Sequence, residues 1–205
     1  MSELLFTKPV PPRFFDTNTL DDTQTKTNNW KVFMWLFLAQ DAMMFFTLFA
    51  GYIGLRISDP AWPKPSAILG INFTAGMTFL LICSSVTMVM SIASIQKGDQ
   101  QKMRMWLWLT VFGGVLFLCG QYYEYSHLIN HQGMSFSHSN FWATFIALTS
   151  FHGFHVFSGV VYLGSVAVKY KNYTKENYAH LETAGLYWHF VDLVWIILFT
   201  LVYLV

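Results

Sequence analysis

Charged residues are scarce in this sequence. Lysine, arginine, aspartate and glutamate together make up 11% of the 205 residues, against about a quarter in a typical soluble domain. Apolar residues account for 54% and aromatic residues for 19%. A chain of this size with so few polar side chains cannot cover a water-soluble globule. The composition therefore excludes a soluble monomer and predicts a compact membrane protein.

Cysteine is nearly absent as well, and the net charge is close to zero. The two cysteines, Cys83 and Cys119, cannot form a disulfide framework or a four-cysteine zinc or iron–sulfur site. The formal net charge of +1 offers no electrostatic surface for the phosphates of a nucleic acid. Disulfide scaffolds and nucleic-acid-binding proteins are therefore excluded.

The gaps between the charges predict the fold. No charged residue occurs between Lys64 and Lys97, between Arg104 and Glu124, or between Glu124 and Lys169. A helix needs about 20 predominantly apolar residues to cross the hydrocarbon core of a bilayer. Five segments meet this condition and predict an all-α bundle of five transmembrane helices, at 30–55, 68–95, 103–126, 141–168 and 183–205.

The remaining segments are polar. Residues 1–29 contain prolines and a run of Thr, Asp and Asn without an apolar stretch, which predicts a flexible N-terminal arm and no cleaved signal peptide. The transmembrane domain then covers 30–205, and residues 130–140 form a polar connection between the third and fourth helices. Ten basic residues flank the helix ends on the side of the N-terminus, and two, Arg56 and Lys64, flank the other side. This asymmetry predicts a cytoplasmic N-terminus.

Ionisable side chains within apolar segments need a physical reason, because a charge in the bilayer is costly. Asp41 lies eleven residues after Trp30, or about 16 Å along a helix axis, which is near mid-membrane. The histidines of the fourth helix are three residues apart, so we expect them to share a helix face. The candidate residues are Asp41, Glu124, His152, His155, Glu182, His189 and Asp192.

Four interpretations of these residues compete. They can hold helices together by hydrogen bonds, bind a metal or haem, relay protons in a stand-alone proton-coupled membrane transporter, or contact lipid headgroups and a partner subunit. Three histidines inside spans are fewer than the four axial ligands of a di-haem membrane protein. The chain also lacks the inverted repeats of many transporters. The spacing of the residues does not choose between packing and contacts with lipid or a partner.

Four sequence motifs occur in order along the predicted domain. Residues 151–159 read F-H-G-F-H-V-F-S-G, and residues 187–195 read Y-W-H-F-V-D-L-V-W after Glu182. Residues 121–125 read Q-Y-Y-E-Y, and residues 84–87 read S-S-V-T ahead of the turn K-G-D at 97–99. Together these motifs resemble those of subunit III of the haem–copper terminal oxidases.

The resemblance implies a five-helix subunit of a respiratory oxidase in the inner membrane of a bacterium. Subunit III of this family carries no catalytic, cofactor-binding or metal-binding residue. Haem and copper belong to subunit I, which subunit III contacts along with other oxidase subunits. Its implied roles are to stabilise subunit I, to support proton uptake and to bind phospholipid in a helix cleft. Cytochrome c is the expected electron donor and quinol the alternative, and membership of a respiratory supercomplex stays open.

The resemblance also assigns the seven candidates as lipid-binding or buried structural polar residues. Asp41 lies in the string Q-D-A-M-M-F-F at 40–46, where the family has a glutamate that reacts with a carbodiimide. Aspartate is common here in the quinol oxidases. The other six residues match the family motifs without substitution. An aspartate at mid-depth requires either a bound proton or a partner such as a histidine or a lipid.

Overall fold

The computed structural model describes residues 29–60, 62–65, 69–134, 139–175 and 178–204. The predicted N-terminal arm, apart from Asn29, lies outside the described residues. Every regular element within the described ranges is helical. Five long helices are present, as predicted: α1 (Asn29–Ser58), α2 (Ile71–Gln96), α3 (Gln100–Gln132), α4 (Asn140–Val168) and α5 (Ala179–Phe199). All five are long and apolar enough to cross a membrane.

Short turns accompany the long helices in the part of the chain that the structure describes. A 3₁₀ turn, Tyr170–Asn172, follows α4, and a π-helical turn, Thr200–Leu204, continues α5. The end of α3 differs from the predicted one. That helix passes the predicted end at 126 and stops at Gly133, which adopts a left-handed conformation with φ of 63°. Glycine accepts this conformation without a steric penalty, so the helix ends there and residues 130–132 are helical instead of forming a loop.

Polar side chains cap the N-terminal ends of α3 and α4. Asp99 precedes α3, and its carboxylate accepts a hydrogen bond from the backbone N–H of Lys102 at 3.0 Å. This N–H, together with the Lys102 ammonium, lowers the pKa of the Asp99 carboxyl. Ser139 caps α4 by accepting from the backbone N–H of Trp142. Such caps satisfy helix N–H groups that have no partner inside the helix.

Four of the helices close into a ring. Helix α2 packs on α3, α3 on α4, α4 on α5, and α5 returns to α2. Helix α1 lies outside this ring and makes its main contacts with α5 and, over fewer residues, with α4. In an apolar stretch of 18 residues, only 22% of α1 is buried, against 50% of the corresponding stretch of α5 and its π-helical turn.

Two glycines permit close packing around Trp188. A Cβ atom on Gly114 would lie 2.6 Å from the Trp188 indole and 2.6 Å from Val160. A Cβ atom on Gly159 would lie 3.0 Å from the same indole. Helices α3 and α4 can therefore close around Trp188, whose Nε1 donates to Ser84 Oγ on α2 at 3.1 Å.

Candidate functional site

A carboxyl–imidazole contact joins α1 to the ring at mid-depth. His155 on α4 places Nε2 3.1 Å from Oδ1 of Asp41 on α1. Both side chains are buried, with relative exposures of 4% for Asp41 and 7% for His155. The edge of the His155 ring also faces Phe45 and Phe151. A histidine is therefore the partner of the carboxyl group that the sequence placed in the middle of the membrane.

The hydrogen bond of the second ring nitrogen of His155 determines which atoms of the Asp41–His155 pair can carry hydrogen. Nδ1 lies 2.8 Å from the backbone oxygen of Phe151. A carbonyl oxygen only accepts hydrogen bonds, so Nδ1 carries a hydrogen and donates it. The Nε2–Oδ1 contact then needs one further proton, carried either by Asp41 or by His155. The pair shares this proton as a unit, and Oδ2 of Asp41 has no partner among the described residues.

His152 has quite different surroundings from His155, although both belong to one motif. It is fully buried at 0% exposure and faces the centre of the ring. Its imidazole stacks on Trp195 with 4.9 Å between ring centroids and meets the edge of Phe117. Neither ring nitrogen has a hydrogen-bond partner among the described residues. The expectation that the two histidines share one face is therefore wrong in detail, because one points towards α1 and the other into the ring.

Glu124 joins three parts of the fold near the far end of the bundle from residue 29. Its Oε1 accepts from Thr74 on α2 at 2.9 Å, and its Oε2 accepts from the hydroxyl of Tyr203 at 3.1 Å. Glu124 itself belongs to α3 and is buried. Both carboxyl oxygens are occupied, so the residue holds α2 and the π-helical turn against α3.

The three candidates on α5 contact two different helices. His189 Nδ1 lies 2.6 Å from the Ser85 hydroxyl on α2, and Asp192 faces the same hydroxyl. Glu182 lies in the first turn of α5 and forms an ion pair with Lys31 at the start of α1. His189 and Glu182 are partly buried and Asp192 is buried.

The described residues do not converge on a metal. Within 29–60, 62–65, 69–134, 139–175 and 178–204, no group of three or more His, Cys, Asp and Glu side chains could hold an ion. Cys83 and Cys119 are free thiols on the exposed surface. Most of the candidate polar groups meet a polar group of another helix.

Comparison with known proteins gives the family. The family model described as "Cytochrome c oxidase subunit III" matches residues 16–205. The chain belongs to the cytochrome c oxidase subunit III family. Its resemblance to haem–copper oxidase subunit III, inferred from four motifs, is thereby confirmed.

Relatives named for two different electron donors are similar to this chain. Cytochrome c oxidase subunit 3 of Alkalihalophilus pseudofirmus is 34% identical over 172 residues, which cover 83% of this chain and 84% of the relative. The Synechocystis subunit of the same name is 37% identical and covers 82% of this chain and 72% of the relative. Quinol oxidase subunit 3 of Bacillus subtilis is 30% identical over 192 residues, with 92% and 94% covered.

Membership of the subunit III family indicates the kind of complex to which the five helices belong. The chain is a multi-pass membrane subunit III of a haem–copper cytochrome c or quinol oxidase and so belongs to a multi-subunit complex. The motifs that carried the resemblance supply Glu124 and His155, each of which contacts another helix, and the partner of His155 is Asp41 on α1.

Sequence reasoning missed the partners of Glu124, His189 and Glu182. Thr74, Ser85 and Tyr203 complete the contacts but carry no charge, so a search for ionisable groups passes over them. Lys31 was considered only for the orientation of the chain, although it pairs with Glu182. A search for hydroxyl side chains within the predicted spans could have found the first three.

Proposed function

We propose that this chain is the non-catalytic subunit III of a bacterial respiratory oxidase, which reduces oxygen to water and pumps protons. It stabilises subunit I, which carries the haem and copper, and it lies in the inner membrane with its N-terminus in the cytoplasm. The observation that carries the proposal is how the motif residues are engaged. Asp41, Glu124 and Glu182 each bind a side chain of another helix, as a structural subunit requires.

The outer face of α1 supports a direct contact with subunit I. Gln40 lies next to Asp41, so it is near mid-membrane, and its side chain is exposed. No hydrogen bond to this amide exists among the described residues. By contrast, the exposed hydroxyl of Thr47 donates to the backbone oxygen of Met43 in its own helix. A polar group in hydrocarbon without a partner is unfavourable, and a polar side chain of a neighbouring subunit would satisfy the amide.

A cavity between α1 and α5 supports the binding of lipid. It has a volume of about 330 Å³ and lies between the side of α1 near Phe46 and Ile53 and the side of α5 near Leu193 and Ile197. Every lining residue is apolar. A phospholipid acyl chain matches this lining, whereas a headgroup does not. We therefore assign the seven candidate polar residues to packing and the cavity to an acyl chain.

Support of proton uptake belongs to the same proposal. A subunit that fixes the position of subunit I also fixes the entrance of its proton pathway, so the effect on protons would be indirect. Loss of this chain should then lower proton uptake during turnover without changing the haem absorption spectrum. A transporter of its own, in contrast, would move protons in liposomes without any partner.

The electron donor has two candidates. The Q-Y-Y-E-Y and Y-W-H-F-V-D strings favour cytochrome c. The alignment with the Bacillus subtilis quinol oxidase subunit extends over 192 residues, against 172 for the Alkalihalophilus pseudofirmus cytochrome c oxidase subunit. This longer match favours quinol as the second candidate.

One purification tests the subunit role and the donor separately. The tagged chain is captured from membranes in a mild detergent, and the eluate is examined by optical spectroscopy and by oxygen consumption. We expect haem in the eluate and oxidation of reduced cytochrome c. Absence of haem would overturn the subunit role. Haem with oxidation of quinol alone would overturn only the donor.

A matched pair of variants tests the contact through α1. Gln40→Leu removes the mid-membrane amide, and Gln101→Leu removes an exposed amide near the start of α3. We expect less haem per captured chain for Gln40→Leu and an unchanged ratio for Gln101→Leu. Equal ratios for both variants would place the contact with subunit I elsewhere.

A further inference from the structure

Two imidazoles lie side by side near the end of α3. His127 and His131 are four residues apart, and their ring centroids are 4.5 Å apart with 40° between the ring planes. Residues at this spacing lie one above the other on a helix. Both side chains are exposed. Sequence reasoning missed this pair because it considered only the histidines inside the predicted spans.

The pair lies where water can reach it. Helix α3 has 33 residues and is about 50 Å long, which exceeds the hydrocarbon thickness of about 30 Å. Trp106 and Trp108 lie near its other end and are typical of a membrane interface. A span of about 20 residues from Trp106 ends before His127. The two histidines therefore belong to the interfacial part of the helix.

Neither imidazole has a competing partner. Among the described residues, no hydrogen bond or ion pair involves the ring nitrogens of His127 or His131, unlike those of His155. A cavity of about 380 Å³ lies beside His127, with Glu124 also in its wall. The oxygens of Glu124 are occupied by Thr74 and Tyr203, so the imidazoles are the free donors here.

The chemistry of such a pair is that of a chelate. Two histidines at i and i+4 present their nitrogens to one ion, as in the helical H-x-x-x-H arrangement of zinc enzymes. Imidazole nitrogen suits Zn²⁺, Cu²⁺ and Ni²⁺, whereas Ca²⁺ and Mg²⁺ prefer oxygen ligands. The carbonyl groups at the C-terminal end of a helix also favour a cation nearby.

We propose that His127 and His131 form a two-histidine site for a divalent transition-metal ion such as Zn²⁺. Water completes the coordination shell, since no third His, Cys, Asp or Glu of the described residues joins the pair. A site with only two protein ligands exchanges its metal with the solution. The proposal does not depend on the function proposed above, because it rests on the pair alone.

Zinc binding to the purified oxidase tests the site. The metal-free complex is titrated with Zn²⁺ against a chromophoric zinc chelator, for the wild type and for His127→Gln and His131→Gln. We expect each variant to lose one zinc equivalent or to bind it about tenfold to a hundredfold more weakly, because the second imidazole otherwise binds within the same molecule. An unchanged titration for both variants would overturn the proposal.

His180→Gln is the matched control. His180 is also exposed, but it lies alone at the start of α5 against Trp30. Its replacement should leave the titration unchanged, and loss of the same zinc equivalent would overturn the assignment to α3. The haem spectrum of each variant verifies that the complex is intact. Because both histidines of the pair are exposed, we expect this spectrum to be unchanged.

Discussion

The contact between Asp41 and His155 shows how the fold tolerates a buried carboxyl group within the apolar helix α1. Because Nδ1 donates to the backbone oxygen of Phe151, the orientation of the imidazole is fixed. Nε2 then faces α1, where it meets the carboxyl group at 3.1 Å. A pair that shares one proton carries no net charge, which is the arrangement that a low-dielectric environment favours.

Substitution of Asp41 should reveal the value of this contact. Asp41→Ala leaves Nε2 of His155 buried without a partner, which should cost about 1–3 kcal/mol of stability. Asp41→Asn retains a donor for Nε2 and should cost less. The difference is measured by heating the purified oxidase and recording the temperature at which this chain is released. Thr47→Ala on the exposed side of α1 is the control, and equal stability of Asp41→Ala and this control would contradict the expectation.

The two histidines of the F-H-G-F-H motif should respond in opposite ways to phenylalanine. His152→Phe removes two ring nitrogens that have no partner and keeps an aromatic ring against Trp195. Removal of an unsatisfied buried polar group is neutral or stabilising. His155→Phe breaks the contact with Asp41 and should destabilise the chain by about 1–3 kcal/mol. The same unfolding experiment compares them, and a larger loss for His152→Phe would mean that its nitrogens bind a group supplied by a partner or by water.

At the level of the helices, close packing around Trp188 restricts which residues are tolerated more strictly than the need for apolar side chains does. Gly114→Ala places a methyl group 2.6 Å from the indole and from Val160, and overpacking of this kind costs about 1–3 kcal/mol. Gly76→Ala on α2 is the matched control, because nothing lies within 4 Å of its added Cβ. We expect the first variant to reduce the amount of assembled oxidase in membranes and the second to leave it unchanged. Equal yields would mean that α3 and α4 can move apart at little cost.

The existence of the helices could be predicted from the sequence better than the residues at which they end or the contacts between them. Long apolar segments were sufficient to predict five membrane-spanning helices, because the bilayer imposes a minimum apolar length. The end of α3 was missed because polarity after residue 126 suggested a loop, although no helix-breaking residue precedes Gly133. The pairing of Asp41 with His155 could not be derived, since periodicity describes one helix and not its neighbour.

Apart from the family motifs, the same reasoning could not distinguish the roles of the candidate residues. His152 and His155 have the same residue type in one motif, yet the first is enclosed by Phe117 and Trp195 and the second faces α1. Side chains three residues apart point about 60° away from each other around a helix axis, and this divergence is enough to turn one into the ring and the other towards α1. Only the arrangement of the helices decides this.

For the molecule as a whole, the ring of α2 to α5 and the peripheral position of α1 suggest two levels of stability. Each helix of the ring packs against two other helices of the ring. Helix α1, in contrast, is held mainly by α5, by the Asp41 contact and by the ion pair of Lys31 with Glu182. Lys31 and Glu182 are partly exposed, and such pairs contribute about 0–1 kcal/mol. Helix α1 should therefore depend on contacts outside this chain more than α5 does.

Hydrogen exchange can test this difference directly. In the chain released from the oxidase, amides of α1 should exchange faster than those of α5, because regions with few buried contacts open at lower free energy. In the intact oxidase a partner subunit on the Gln40 face should slow the exchange of α1 and leave α5 little changed. Helix α2, with 39% of an apolar stretch of 18 residues buried, provides an intermediate reference. Exchange of α1 as slow as that of α5 in the released chain would show that the contacts within this chain are sufficient to hold it.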